Sequence, residues 1–446
     1  MSDSACHSIF YGHVMLAPMV RICHLGFRLL CEAHGAGVVF SEEIVAAKLC
    51  HCHRESRSYP GLAESNIVEY VAYDRYKQAF KRSVVFSTLA KKGRSSRGIN
   101  GSCVSALVVL QLGASDGAVA AKAVTLCRED IDGVDINMGC PKKFSVGNGF
   151  GAVLMENTAA AGDILRQIHA IVLDRKTGGE ASCRPGSDRF FPISFKTRLK
   201  SLEPSTTVIM LKEILMASGH TPQDPIVHAI TLHARLRDQR SESPPLYDVA
   251  AKVITQCRCD PYFSGVCFVL NGSIQSRADG IEKMRHYGFN ACMIARAALV
   301  DVTCFSPSYV YPVGTDHTDQ ESQSAQVHHM KILKEMLLFA VCYRTPFKNF
   351  KYHLARIFSE VQVLKSKMPT VQEGLRSYSD CCDFFQVKPE ELELVKRCEN
   401  EIEFVDSPPE DASPLLSSDG KLKDIQEYSL KKADLDDRAI QVRRLC

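Results

Sequence analysis

Between Gly12 and Leu299 the chain repeats one pattern, a short apolar run followed by a longer amphipathic stretch. The runs are "HVMLAPMV", "GVVFSEEIV", "ALVVLQLG", "GVDINMGC", "PISFKTRL", "HAITLHAR", "VCFVLNGSI" and "ACMIARAAL". Helical periodicity fills the intervals at 26–34, 118–128, 157–172, 208–218, 245–256 and 280–287. Strands alternating with helices argue for a parallel sheet. Eight such units in one stretch fit a closed α/β barrel, the TIM (β/α)8 architecture, better than an open doubly wound sheet. A further run, "SVVFSTLA", between the second and third, is expected as a hairpin on the barrel's edge.

The ends of these runs carry the chemistry. They hold Pro18 with Met19, Glu42 with Glu43, Gln111, Asn137 with Cys140, Lys196 with Arg198, His233 with Arg235, Asn271 and Arg296. Barrel active sites are built at the C-terminal ends of the strands. Polar residues at the same end of seven of the eight strands are a poor match to chance, so this end is read as the site.

Composition narrows the class. The chain has 446 residues, 45% hydrophobic and 24% charged, as in an ordinary soluble globular protein. No apolar run reaches the roughly 18 residues of a membrane span. The start, "MSDSACHSIFYGHV", has neither a positive n-region nor a signal h-region, and the final Cys446 offers no prenylation box. The chain is therefore expected to be cytoplasmic, away from membranes and monomeric. Nineteen cysteines, an odd number scattered through apolar segments, read as reduced thiols rather than disulfides. "CHCH" at 50–53 and the Cys257-Arg258-Cys259 pair lack a second ligand pair at zinc spacing, so no metal site is expected. A formal net charge of +3 names no partner by itself.

Two inserts break the barrel rhythm. The segment 174–192, "DRKTGGEASCRPGSDRFFP", reads as a mobile surface loop, and 235–248 brings three arginines toward the barrel mouth. Beyond 306 a polar linker, "VGTDHTDQESQSAQ", leads into a helical region from 327 to 403. Within 328–367 eight Lys or Arg stand against two Glu, interleaved with Phe339, Tyr343, Phe347, Phe350, Tyr352 and Phe358. Two readings stay open: a bundle with an aromatic core and a solvated basic face, or a footprint for a phosphate backbone. The expected units are a barrel over 10–310, a smaller all-helical domain over 325–404 and a disordered tail over 405–446.

One stretch stands out, "DINMGCPKKFSVGNGFGAVLM" from Asp135 to Met155. It starts as a buried strand, then sets Cys140 between a glycine and a proline and follows it with two lysines. Structural cysteines usually sit inside apolar runs, so this thiol suggests chemistry. A nucleophile would want a paired His, and no cysteine-hydrolase signature is present. An acid or an inert thiol are the other readings. The glycines at 147, 149 and 151 have the wrong spacing for a dinucleotide fingerprint and read as a loop near substrate.

In this order, "LAPMV", "QLG", the cysteine stretch, "FKTRL", "LHAR", "NGSI" and "ARAAL" resemble the tRNA dihydrouridine synthases, closest to the eukaryotic tRNA-dihydrouridine(20) synthase branch. The resemblance spans 14–299 and, more loosely, continues through "FKNFKYHLARIF". It implies an FMN-containing TIM barrel followed by a helical tRNA-binding domain. It also implies reduction of the C5–C6 double bond of a uracil in tRNA, with NADPH (or NADH) recharging the flavin. Cys140 would then be the proton donor. The flavin contacts would be Pro18, Met19, Val20, Glu43, Gln111, Lys196 and His233, with Asn271, Gly272, Ser273, Ala295 and Arg296 toward the phosphate. Asn137, Arg198, Arg235, Lys331, Lys334, Lys348 and Lys351 are the candidates for contact with RNA. Many members carry glycine where this chain has Ala234 and Ala295. No double-stranded-RNA-binding pattern is visible in the last hundred residues.

The chemistry agrees with that reading. Hydride must come from a cofactor because no side chain carries it. A thiol, with an ordinary pKa of about 8.5, is still protonated near neutrality yet releases its proton readily. Lys196 would place positive charge near the N1–C2=O edge of the flavin, and Gln111 would read the ring edge with a donor and an acceptor. The ends of the last two runs are where barrels commonly hold a phosphate. His233 is read as a ligand of phosphate or ring. Two rivals remain: a flavin barrel reducing a free pyrimidine or small alkene, and a tRNA-binding protein whose catalysis is dispensable.

Overall fold

In chain order the strands are β1 (Val14–Leu16), β2 (Val38–Val45), β3 (His53–Ser58), β4 (Asn66–Tyr76), β5 (Ala79–Leu89), β6 (Leu107–Gly113), β7 (Gly133–Asn137), β8 (Ile193–Leu199), β9 (Ala229–Leu236), β10 (Cys267–Asn271), β11 (Ala291–Ile294) and β12 (Phe404–Val405). The helices are α1 (Leu25–Ala33), α2 (Ala46–Leu49), α3 (Gly117–Cys127), α4 (Lys143–Gly147), α5 (Thr158–Leu173), α6 (Pro204–Ser218), α7 (Tyr247–Arg258), α8 (Arg277–Tyr287), α9 (Arg296–Val300), α10 (Asp319–Cys342), α11 (Phe347–Glu360) and α12 (Tyr378–Phe385). This computed structural model describes residues 9–58, 66–76, 79–90, 107–173, 191–240, 242–309, 319–388, 393 and 404–405. Residues 174–190 of the expected loop at 174–192, residues 313–318 of the expected linker and the expected tail beyond 405 lie outside the described residues.

Each of the eight apolar runs contains one strand of a closed barrel, in the order β1-β2-β6-β7-β8-β9-β10-β11. Every pair is parallel, and β1 closes the ring by pairing with both β11 (Leu16↔Ile294) and β2 (Leu16↔Val39). Strand side chains alternate between faces. One set, Met15, Ala17, Val38, Phe40, Val109, Ala229, Cys267, Val269, Ala291 and Met293, forms an apolar cluster with Phe10 inside the barrel. The alternate set, including Leu16, Val39, Leu110, Ile230 and Leu270, packs outward under the helices. Two residues beyond Val109 and Val269 the inward parity reaches Gln111 and Asn271. Four beyond Ala229 it reaches His233. The apolar plug thus ends and the polar residues begin inside the same lumen, at its C-terminal mouth.

The helices bury stripes at helical spacing. On α5, Ala161, Ile164, Leu165, Ile168 and Val172 are fully buried. Gly162 lets α5 close on α6, since a Cβ there would lie 2.4 Å from the Ala217 side chain. Pro204 starts α6 four residues before its expected start, with the Glu203 side chain accepting from Ser205 N.

The run "SVVFSTLA" lies in a hairpin, as expected, with β5 antiparallel to β4 (Tyr76↔Ala79), but the hairpin is not on the barrel's edge. The closed barrel has no edge, and this segment is most of β5 in a separate antiparallel sheet of order β12-β5-β4-β3. β3 and β4 hold many charges, which hid them from an apolar-run reading. Glu69 is 2% exposed within β4 and takes a hydrogen bond from Arg82 at 2.7 Å. The sheet docks beside α3: Arg54 binds Asp130 through two bonds of 2.7 and 2.8 Å, and the Tyr70 hydroxyl donates to the same carboxylate.

Beyond the barrel, α10 starts at Asp319, inside the expected linker. The region's aromatics are core: Phe339, Tyr343, Phe350 and Phe358 are all buried. It packs on the barrel where α1 meets α10. A Cβ on Gly26 would lie 2.6 Å from Phe339 O, so only glycine permits this approach. His353 Nε2 donates to Leu299 O at 2.8 Å, and its ring meets Phe27 edge-on at 4.8 Å. Phe404 and Val405 return to pair with β5, so the expected boundary at 404 falls within a strand of the added sheet.

Candidate active site

β7 ends at Asn137, and that side chain builds the turn that follows. Asn137 Oδ1 accepts from Gly139 N at 3.0 Å and from Cys140 N at 3.1 Å, an Asx-type turn. The turn is fastened to neighbouring strands: Met138 N donates to Lys196 O at 2.8 Å, and Arg198 Nε donates to Gly139 O at 3.0 Å. Cys140 O accepts from Ala152 N at 2.9 Å. That contact requires a bare backbone at Gly151 (φ +71°), where a Cβ would lie 2.6 Å from Cys140 O. The thiol emerges half-buried at the mouth. Ser145, 1% exposed on α4, donates its hydroxyl to Sγ at 3.2 Å. An Sγ that accepts from Ser145 keeps its own proton for a different direction. Elsewhere burial pushes the Cys23, Cys52, Cys257 and Cys292 thiols up to about 12, as expected of inert core cysteines.

Beside the turn lies a second group. Gln111 Nε2 donates to Asp135 Oδ2 at 2.8 Å, and Ser194 Oγ donates to Asp135 Oδ1 at 2.7 Å. Asp135 is fully buried, and desolvation pushes its carboxyl up to about 6 against the pull of Gln111, Ser194 and Lys196. Lys196 pairs across the sheet with Asn137. Burial, and then the Arg198 charge, push its ammonium down to about 8, opposed by Asp135 and Cys140. Glu43 pairs with Gln111 in register. Burial raises its carboxyl to about 7 against Lys142 and Asn137, and its Oε1 has no hydrogen-bond partner among the described residues. A neutral amide, two carboxyls titrating near neutrality and a lysine form a donor and acceptor rim suited to a polar ring.

The third group is cationic. His233 is pushed well below its ordinary pKa by burial and then by Lys196, Arg198, Arg235 and Arg296. Arg235 reaches His233 Nε2 at 3.0 Å through Nη1 and donates to Ser273 Oγ at 2.7 Å through Nη2, while Arg296 Nη2 donates to the same hydroxyl at 3.3 Å. Gly272 has φ +130° and Ser273 φ +48°. A Cβ on Gly272 would lie 3.2 Å from the His233 ring. The Tyr247 hydroxyl donates to Gly272 O. Converging cations around a left-handed Gly-Ser turn are relieved by a bound anion such as a phosphate.

Comparison with known proteins meets this geometry. The family model described as "Dihydrouridine synthase (Dus)" matches residues 15–377. The chain belongs to the dihydrouridine synthase family. It is 28% identical over 351 residues to the tRNA-dihydrouridine(20) synthase, NAD(P)+, of Saccharomyces cerevisiae, covering 78% of this chain and 77% of that protein. The protein of the same name from Schizosaccharomyces pombe is 27% identical over 406 residues, 90% of this chain and 71% of that protein. The human tRNA-dihydrouridine(20a/20b) synthase, NAD(P)+-like, is 23% identical over 368 residues, 82% of this chain and 88% of that protein. The resemblance read from the motifs is borne out.

The remaining residues expected from the dihydrouridine synthase resemblance fall in several places. Pro18, Met19 and Val20 form the loop after β1, with Val20 47% exposed. Asn271 faces inward and donates to Met293 O at 3.2 Å. Ala295 has φ −118°, outside the left-handed region, so its methyl is tolerated there. Arg198 spends its donors on Gly139 O, Leu236 O and Gln239 O, and Arg235 groups with the cationic cradle rather than standing apart from it. Lys334 and Lys351 donate to Gln386 O and Leu375 O, whereas Lys331 and Lys348 are exposed. The sequence reading missed Asp135, Ser194, Ser145 and Tyr247. Asp135 carried a signal, the same strand parity as Asn137; Ser145 and Tyr247 carried none.

Proposed function

We propose that this chain reduces a uridine of tRNA to dihydrouridine, with FMN as its cofactor and NADPH or NADH as reductant. The observation that carries the reading is the Asn137-built turn that offers Cys140 Sγ at the barrel mouth, beside a polar rim and a cationic cradle. The names of the relatives support tRNA as substrate and a nicotinamide as reductant, and two of them support position 20. The barrel over 10–310 is proposed as the catalytic unit and 325–404 as the tRNA-binding unit. Among the described residues no helix is long and apolar enough to cross a membrane. Its place of work is proposed as the cytoplasm, and its working form as a monomer.

The residues fit a flavin mononucleotide. Its phosphate suits the Gly272–Ser273 turn with Arg235 and Arg296, and His233 is kept neutral there by burial and then by its cationic neighbours. Gln111, Lys196 and Glu43 would hold the ring edge. FMN, when bound, supplies hydride to C6 of the uracil. Cys140 gives the Sγ proton to C5, which completes the two-electron reduction. The sulfur left behind carries negative charge, held by the Ser145 hydroxyl and within reach of the Lys196 and Arg198 charges. Exposed Lys331 and Lys348 would meet phosphates of the RNA.

Mapping dihydrouridine by mass spectrometry in tRNA from cells lacking the protein tests the proposal. The expected result is loss of the modification at one position, restored by the purified protein with FMN and NADPH. Turnover of free uridine as fast as tRNA would favour the small-substrate rival and overturn this reading.

A further inference from the structure

The reaction needs more than a thiol and a cofactor, because the uracil must leave its stack to reach them. The base next to it then loses a neighbour. Next to Cys140 the chain carries an exposed run, Pro141, Lys142, Lys143 and Phe144. Phe144 is 40% exposed, and Tyr11, the other exposed aromatic among the described residues, lies just ahead of β1 at the barrel's opposite end. A lone exposed phenylalanine is ordinary. This one is held in place and sits at the mouth.

Three contacts fix it. Asn148 donates to Phe144 O from its side chain at 2.7 Å and from its backbone at 3.3 Å, anchoring the short α4. The Phe144 ring meets the buried Phe150 ring at 5.7 Å and 82°, an edge contact that leaves ring surface to solvent. Phe150 in turn lies over the end of β6, because a Cβ on Gly113 would be 2.8 Å from its ring. The aromatic is therefore mounted on the rim of the lumen, four residues from the thiol. Lys142, flanking it, is near enough to pull down the Glu43 carboxyl. A supported aromatic surface with adjacent cations is the common platform for unpaired nucleotides, stacking for the base and charge for its phosphate.

We infer that Phe144 stacks the unpaired base adjacent to the reduced uridine, with Lys142 and Lys143 on its phosphate. This rests on the proposed reduction of tRNA uridine and adds a binding site for a second nucleotide. The full chain with bound FMN is mixed with tRNA carrying 2-aminopurine on either side of the target uridine. Wild type quenches one of the two probes. Phe144→Ala loses that quench and lowers kcat/KM roughly ten- to hundredfold, with flavin content and melting temperature reporting that it folds. Phe144→Trp keeps both signals, whereas Phe144→Leu, apolar but not aromatic, restores neither. Wild-type quenching and kcat/KM in Phe144→Ala, or full recovery in Phe144→Leu, would overturn the inference. The quench reads stacking whatever product forms, so a wild type that quenches yet makes no dihydrouridine supports the stacking and sinks only the parent reading.

Discussion

Gly151→Ala isolates the packing behind the thiol. The glycine has φ +71°, and an alanine held there costs about 1–2 kcal/mol of backbone strain. Its Cβ would also lie 2.6 Å from Cys140 O, 3.2 Å from Cys140 Cβ and 3.0 Å from Ser145 Cβ. Comfortable carbon contacts begin near ~3.5 Å. The Cys140 turn must therefore retreat by roughly half an ångström or more, and a displacement of about 1 Å at a reacting group can cost on the order of a hundredfold. Two neighbours serve as controls. Gly149→Ala has the same strain (φ +78°) but would meet Ser115 rather than Cys140, and a Cβ at Gly147 would meet nothing within 4 Å. Stopped-flow absorbance separates flavin reduction by NADPH from flavin oxidation by tRNA. In Gly151→Ala the tRNA step is expected to fall about a hundredfold, while flavin content and the NADPH step change little. Gly149→Ala should lose stability but much less rate, and Gly147→Ala should be silent. A Gly151→Ala protein as fast as Gly147→Ala would refute the reasoning.

Three further expectations concern charge. Lys196→Met should release the flavin, seen as lost absorbance after gel filtration; in wild type, affinity should fall above about pH 8, where Lys196 loses its proton. His220 is fully buried with Nδ1 accepting from Ile226 N and Val227 N, and burial lowers it to about 4. Between about pH 4 and 6.5 the unfolded chain then holds the extra proton, so stability falls as pH drops through that window. The His220 share is roughly 3 kcal/mol at most. Urea melts from pH 7.5 to 4.5 check it, and His220→Asn should flatten the slope. Lys331→Glu with Lys348→Glu should weaken tRNA binding and reduce its salt dependence; unaltered affinity at several salt concentrations would clear the helical region of that role.

The barrel was legible because its strands are buried on both faces and read as continuous apolar runs. The mouth was legible for the same reason, since a reactive residue closing each run has only the lumen to face. Gln111, His233 and Asn271 follow from parity alone. The added sheet was not legible. β3 reads "HRESRS", and its charges are satisfied by partners distant in sequence, such as Arg54 by Asp130. Ser145 was hidden for another reason: its link to Cys140 depends on how α4 folds back, which no periodicity encodes. The helical lysines show the reverse case. Their count suggested one basic face, but Lys334 and Lys351 are committed to carbonyls at the ends of other segments.

Whether one thiol delivers the proton is decided by a single-turnover experiment with Cys140→Ala. The variant, reduced by NADPH and mixed with unmodified tRNA, is followed by mass spectrometry of the RNA and absorbance of the flavin. The expected outcome is a yellow protein that binds tRNA, accepts electrons from NADPH and forms dihydrouridine at least a hundredfold more slowly than wild type. Dihydrouridine appearing at the wild-type rate would contradict it.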